Sequence, residues 1–490
     1  MTRLERHFLP LLMLTTLLAL ALRLWGLTAQ SLWLDEAISA ELARLSPRDI
    51  VAAAAADVHP PGYYLLLRGW ARLGDGPAML RLLSTLCSTA SGALLGIVGA
   101  RLVGRPAALV AALLCALSEF QLEYAHEVRM YALLGCLSLV ATGALLALDG
   151  PRWRRALLVY IVTGAALFYV HYHGAFVLLA HACVVSPTAR RRFVAAGALI
   201  AVLCLPWAPI LLRQLQAGGR HWIHDPVGPL LPLESLLVFA VGPALGLPGA
   251  LREALDVLPR TPAVVLAAAT CVLAGTLPLF WPRRARPLAD WARIVPWVTL
   301  PLLLPWLLSQ RSPVYEHNYV IAASYPWLLL LGALLLRLPR LPAVAGLAIL
   351  VLTSAVMQVR HRAHPELRKE NWRDAVAQID ADAGPGDVVA FRFTGPLAPY
   401  SYYHRQALPQ VALLPPSDTR FAALAGARRV WLFDYRSDLY DPSDQVGEGL
   451  MRRGFTPTRT FAFNAVPLRL WTHRDSRAPL GPPPAGPPAQ

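Results

Sequence analysis

Charge is scarce in this chain. Only 15% of its 490 residues are Asp, Glu, Lys or Arg, against about 25% in an ordinary soluble domain. Lysine is nearly missing: Lys369 is the only one, and every other basic residue counted in the net charge of +15 is an arginine. Disulfide chemistry is excluded as well. The six cysteines, Cys87, Cys115, Cys136, Cys183, Cys204 and Cys271, all lie inside apolar runs, and none falls in the polar C-terminal region. They form no CxxC metal pair and no haem-attachment motif. No internal repeat is visible. The basic residues are spread among connectors instead of forming one patch, which argues against nucleic acid as a partner.

What is abundant is apolar sequence, 56% of the chain. Runs near 8–28, 79–100, 106–121, 130–148, 155–171, 174–187, 193–212, 261–281, 291–309, 319–337 and 341–358 suit a hydrocarbon layer of about 30 Å. Arginines recur in alternate connectors: Arg101 and Arg105; Arg152, Arg154 and Arg155; Arg190 to Arg192; Arg283, Arg284 and Arg286; Arg337 and Arg340. The positive-inside rule places these in the cytoplasm. The loop 29–78, the turn 122–129, the His171/His173 turn, the loop 213–232 and the turn 310–318 then face outward. The stretch 227–258 is apolar but broken by Pro229, Pro232, Gly242, Pro243, Gly246, Pro248 and Gly249. It reads as a re-entrant or surface-lying segment, tolerated where it lines a protein cavity. The count is about eleven spans, with the N-terminus inside and the C-terminus outside. Arg3 and Arg6 before the first run resemble a secretory signal, but the many later spans favour a retained signal-anchor helix.

From about residue 361 the pattern changes. A helix is expected over 371–382, a strand over 388–393, a second strand in "RRVWLFDY", and a third in "FAFNAVPLRLWTH", interrupted at Pro467. The expected organisation is a polytopic α-helical membrane domain over 1–360, with 29–78 as its first outer loop. A small α/β domain over 361–475 and a disordered Pro-rich tail over 476–490 follow.

The chemistry-bearing residues concentrate on the outer side. Asp35-Glu36, in "SLWLDEAIS", stand just past the first apolar run, a costly place for carboxylates. Either they cap a loop helix, or one acts as a general base. His59 sits in the rigid "HPP" element of the same loop; it either binds a phosphate or joins a metal site, or it is a packed or capping imidazole. In "EYAHEVRMYALL", Glu123 and Glu127, and Glu127 and Tyr131, are four apart and share a helix face. Arg129 is the first choice for a phosphate partner, because its planar fork pairs two oxygens at once. His171-Tyr172-His173 reads as interfacial packing, since two His at i and i+2 share no helix face. "GGRHWIHDP" and "SQRSPVYEHNY" add Arg220, Trp222, His224, Arg311 and His317.

In this order the motifs "LWLDEAIS", "DVHPPGYYLLL", "YAHEVRMYALL" and "NWRDAVAQIDADAGPGDVV" resemble the membrane-embedded glycosyltransferases of the GT-C fold. Within them the chain is most similar to the bacterial branch of family 39, the protein-mannosyltransferase-like and RgtABCD-like enzymes, over roughly residues 1–400. The resemblance implies a polyprenyl-phosphate-linked sugar donor, catalysis on the periplasmic face of a bacterial inner membrane, and transfer with inversion. The acceptor would be lipid A or another glycolipid, a polysaccharide, or a protein. It also implies that an acidic residue of the first loop is the base, which falls on Asp35, with Glu36 beside it. His59, Glu127, Arg129 and Tyr131 fall on positions lining the same cavity. Many relatives carry Arg-Tyr before the last-but-one helix, where this chain has Asn318-Tyr319; Arg311 or His317 stands nearby to substitute. Some relatives bind a divalent metal near the phosphate; its ligands are unassigned here, and no other cofactor is expected. The readings from other classes are a transporter or flippase for a lipid-linked sugar, which paired halves would signal, and a non-catalytic membrane scaffold.

Overall fold

A computed structural model of the chain describes residues 6–216, 228–242, 288–364, 367–414 and 416–475. The expected span at 261–281, Arg283, Arg284, Arg286, Arg220, Trp222, His224, most of 227–258 and the tail 476–490 lie outside the described residues. The chain divides into two compact units: Met1–Ala29 with Ser39–Leu367, and Gln30–Ile38 with Arg368–Gln490.

The first unit is helical. Among the described residues, four helices are long and apolar enough to cross a membrane: Pro77–Leu102, Trp153–Val170, Arg190–Gln216 and Arg340–Ala363. The pair Arg105–Leu117 and Glu119–Ala125, bent by 58°, makes a fifth if it is one span. The other expected spans among the described residues are shorter apolar helices, including Phe8–Leu24, Tyr131–Leu146, Gly174–Val184 and Ile321–Leu335. Local chemistry explains the breaks. At the bend, the Ser118 hydroxyl accepts from the Gln121 N–H and starts a new helix. Proline enters the first turn of Pro77–Leu102 and Arg105–Leu117, where no N–H is needed. On the helix Arg340–Ala363, Leu341, Val344, Ile349, Leu352, Val356 and Val359 are exposed, an outer face suited to hydrocarbon rather than water.

Two buried polar side chains tie this unit's helices together, Arg23 and Gln121. Arg23, in the last turn of the first helix, is fully buried. Its guanidinium donates to Ser88 Oγ at 2.9 Å and to the carbonyls of Ala19, Cys115 and Ala116 at 3.0–3.2 Å. Two of those carbonyls end the helix Arg105–Leu117, where the helix dipole favours a cation. Gln121 donates to Ser324 Oγ at 2.8 Å and accepts from the Tyr325 hydroxyl at 3.1 Å.

The second unit carries a five-stranded sheet in the order β2-β1-β3-β5-β4. The strands are β1 Asp387–Phe391, β2 Gln410–Ala412, β3 Arg429–Phe433, β4 Phe455–Phe463 and β5 Val466–His473. β2, β1 and β3 run parallel, β5 pairs antiparallel with β3, and β4 pairs antiparallel with β5. Period-two alternation sends Val389, Phe391, Trp431 and Phe433 into one core and Val388, Ala390, Val430 and Leu432 into the other. The helix Trp372–Asp382 covers the first core with Trp372, Ala375, Val376 and Ile379, a helical stripe. Two strand expectations need correction. The third apolar run is a hairpin rather than one interrupted strand, turning at Asn464-Ala465, where Ala465 takes a left-handed φ of 54°. Pro467 stays in register opposite Ala462; the irregularity falls instead between Pro457 and Arg459 on the outer strand β4, where a lost N–H is cheap. The short β2 was not foreseen.

Candidate functional site

The candidate residues fall into two groups, one in each unit. In the second unit, Trp33 begins the helix Leu34–Arg44, its carbonyl accepting from the Ala37 N–H at 2.9 Å. Glu36 reaches back so that its Oε2 accepts from the Trp33 N–H at 3.3 Å, the carboxylate half of a capping box. Glu36 is fully buried, with Lys369 Nζ 4.0 Å from Oε2. Asp35 is only partly buried. The acidic pair thus contains one capping carboxylate and one that keeps contact with its surroundings. Upstream, the Leu32 N–H donates to the Tyr403 hydroxyl at 2.8 Å, and the Leu34 N–H to Glu370 Oε2 at 2.9 Å. Glu370 also accepts from Trp372 Nε1 and from the Tyr435 hydroxyl. Burial, and then the Glu370 charge and hydrogen bond, push the Tyr435 phenol above its ordinary pKa.

In the first unit, four stretches converge. Pro60 and Pro61 lead into the helix Gly62–Trp70. A Cβ on Gly62 would lie 2.5 Å from the Tyr169 carbonyl oxygen, so only glycine lets this helix start against the end of Trp153–Val170. Gly174 is packed similarly, 2.6 Å from the Leu167 carbonyl oxygen, which folds the 171–173 turn back on its own helix. The result is a buried cluster of rings. Tyr319 lies 4.9 Å from His171, 5.4 Å from His173, 6.0 Å from Tyr131 and 6.3 Å from His59, centroid to centroid. His59 and His171 are 5.8 Å apart. The Arg129 guanidinium, 4% exposed, sits 5.8 Å from the Tyr131 ring. Its nitrogens lie 3.5 Å from His59 Nε2 and 3.5 Å from the Tyr64 hydroxyl. His59 Nδ1 is 3.3 Å from Asp57 Oδ2. Partial burial pushes the Asp57 carboxyl upward, but the His59 hydrogen bond and charge, aided by Arg129, outweigh it and hold the pKa below the ordinary value.

The remaining candidates are dispersed. Glu127 is buried, and with Glu123 and Glu316 it acts electrostatically on the Tyr124 hydroxyl. His317 Nδ1 lies 2.9 Å from Ser235 Oγ, which is also 2.7 Å from the Tyr315 hydroxyl. Arg311 is exposed just beyond the helix Leu288–Ser309, and among the described residues no side chain joins it to the ring cluster. The structure therefore brings His59, Arg129 and Tyr131 together, and adds Tyr64, His171, His173 and Tyr319.

Residues 58–212 match the family model of the dolichyl-phosphate-mannose-protein mannosyltransferases, a segment that includes His59, Arg129, Tyr131, His171 and His173. Among solved structures, the apo ArnT of Cupriavidus metallidurans superposes with a TM-score of 0.52 at 15% identity, covering 94% of this chain and 97% of that one. The same ArnT bound to undecaprenyl phosphate gives a TM-score of 0.50 at 15% identity, covering 96% and 99%. An Archaeoglobus fulgidus oligosaccharyltransferase, in complex with Zn and sulfate, gives 0.52 at 12% identity, covering 92% and 72%. This chain has the GT-C fold. It is an integral membrane protein, and its segment 58–212 is similar to the protein mannosyltransferases. No curated protein sequence matches the chain.

A divalent metal needs several converging ligand side chains. Among the described residues no three His, Cys, Asp or Glu side chains converge as ligands. Sequence reasoning missed the scaffold arginines: Arg23 and Arg81 are fully or almost fully buried. Their signal was a lone charge inside an apolar run, which is costly unless partnered.

Proposed function

We propose that this protein is a glycosyltransferase that moves a sugar from a polyprenyl-phosphate donor to an acceptor on the outer face of a bacterial inner membrane. The observation that carries the reading is the buried Arg129 beside His59, ringed by Tyr64, Tyr131, His171, His173 and Tyr319. A guanidinium and imidazoles enclosed by phenols provide the donors that a phosphate takes, and they lie within the protein-mannosyltransferase-like segment. The ArnT structure bound to undecaprenyl phosphate supports a carrier of that class.

In this mechanism Arg129 and His59 neutralise the phosphate as the bond from the sugar's anomeric carbon to the phosphate oxygen breaks. The acceptor hydroxyl attacks the same carbon from the opposite face, giving inversion, and Asp35 takes its proton. Glu36 holds the start of the Asp35 helix. Tyr131 belongs to the same donor-binding cluster, and Glu127, Arg311 and His317 stand apart from it as further donor-binding candidates. The acceptor is a glycolipid such as lipid A, a polysaccharide or a protein, and the sugar is a hexose or pentose. The test is transfer by purified protein in nanodiscs, given a panel of radiolabelled polyprenyl-phosphate sugars and an envelope extract. Label should pass to the extract from at least one donor. Well-folded protein that transfers from none would contradict the reading.

A further inference from the structure

Residues 30–36 are bound to the sheet-bearing unit almost residue by residue, and the partners come from one short stretch plus one tyrosine. The Lys369 N–H donates to Gln30 Oε1 at 2.8 Å, and the Arg373 N–H to Ser31 Oγ at 3.0 Å. The Leu32 N–H is taken by Tyr403 and the Leu34 N–H by Glu370. The Leu34 side chain packs against the core beneath, with Phe393, Leu397 and Tyr403. This core face ends at the carboxyl ends of β1 and β3, where β2 lies on one side of β1 and β3 on the other. In open α/β sheets that switch point is where ligands bind. Here a segment of the chain's own first loop is held beside it.

Glu370 is the centre of this attachment. It is 9% exposed, and its two oxygens receive three donors: Leu34 N–H and Trp372 Nε1 on Oε2, at 2.9 and 2.8 Å, and the Tyr435 hydroxyl on Oε1. An ionised carboxylate accepts only, so it can hold all three at once; an amide at the same place would turn a donor toward one of them. The Leu34 N–H is one of the N–H groups at a helix start that the helix itself leaves unbonded. Asp35 is the next residue.

We propose that Glu370 is a positioning residue for Asp35: it fixes the start of the Asp35 helix by bonding the Leu34 N–H to the sheet domain's buried Trp372 and Tyr435. The proposal rests on the reading of Asp35 as base. The C-terminal domain thereby acts as the frame that holds the base, whatever it contributes to acceptor binding. A base displaced by about 1 Å can lose roughly a hundredfold in rate, so the frame acts on turnover rather than on donor binding.

The test is Glu370→Gln in the full-length protein, read by hydrogen–deuterium exchange, donor binding and transfer. Amide exchange at Leu34 to Ala37 should rise at least tenfold while β1 and β3 keep their protection. Transfer should fall about tenfold or more, and undecaprenyl phosphate should bind within twofold of wild type. Tyr403→Phe, which deletes one hydroxyl, should raise exchange at Leu32 and lower transfer several-fold. Unchanged exchange over 32–37 in both variants would overturn the proposal. So would loss of protection throughout the sheet, because Glu370 would then serve only the domain's stability. Asp35→Asn with full transfer would instead refute the base assignment, and the exchange data would stand apart from it.

Discussion

The two groups of candidate residues are held in different ways. Around Arg129, the contacts are between side chains: rings at 4.9–6.3 Å and polar atoms at 3.3–3.5 Å, drawn from four separate stretches of chain. Around Asp35, the contacts seize the backbone: three of residues 30–36 give a main-chain N–H to a side-chain acceptor of the same unit. A cluster built from side chains loses its parts one at a time. A segment held by its backbone moves as a piece when one anchor goes. Substitutions in the first group should therefore give graded losses of donor binding, and those in the second a loss of turnover with binding intact.

The sharpest break of this contrast lies in the sheet domain. Arg392, 1% exposed, follows β1 and pairs with Asp434, Asp441 and Asp444, and Arg469 closes the network through Asp434. Removing one partner of a buried pair costs about 3–5 kcal/mol. Arg392→Ala should destabilise the sheet domain by that amount, seen as lost exchange protection in β1 and β3, and should free residues 30–36 along with it. Next comes Arg129→Ala. Losing charge-assisted hydrogen bonds worth about 1.5–3 kcal/mol should weaken undecaprenyl phosphate binding roughly ten- to a hundredfold, measured by titration in nanodiscs, without altering exchange at Leu34. Tyr319→Leu should cost less. Ring pairs contribute about 0.5–1.5 kcal/mol each beyond their burial, so donor binding should fall only several-fold.

The smallest effect concerns pH. Because its pKa is lowered in the folded protein, Asp57 stabilises the fold above the ordinary carboxylate range and loses that contribution as pH falls through its folded value. The stability gap between wild type and Asp57→Asn should be flat above about pH 4 and close below it. A gap that widens on acidification would reverse the assigned shift.

Much of this was legible in the sequence, for physical reasons. Long apolar runs and arginine-rich connectors announced the membrane unit because hydrocarbon tolerates little else. The stripe Trp372, Ala375, Val376 and Ile379 announced its helix through its period. Asp35, His59 and Arg129 stood out because charge beside an apolar run is costly. Three things were hidden. The hairpin at Asn464-Ala465 was read as one strand, because the half-exposed β4 has a weak apolar pattern and Ala465 is an unusual left-handed residue. Tyr319 and His173 could be listed but not placed, since only tertiary packing brings their rings, far apart in the chain, to 5.4 Å. The division of labour between Asp35 and Glu36 depends on a capping bond back to Trp33, and residue type alone does not distinguish the two carboxylates.

The central claim is that Asp35 takes the acceptor's proton while separate cationic groups hold the donor. Wild type and Asp35→Asn should be compared side by side in nanodiscs for undecaprenyl phosphate binding and for sugar transfer. The account predicts unchanged binding and abolished transfer. An Asp35→Asn protein that transfers at the wild-type rate would contradict it.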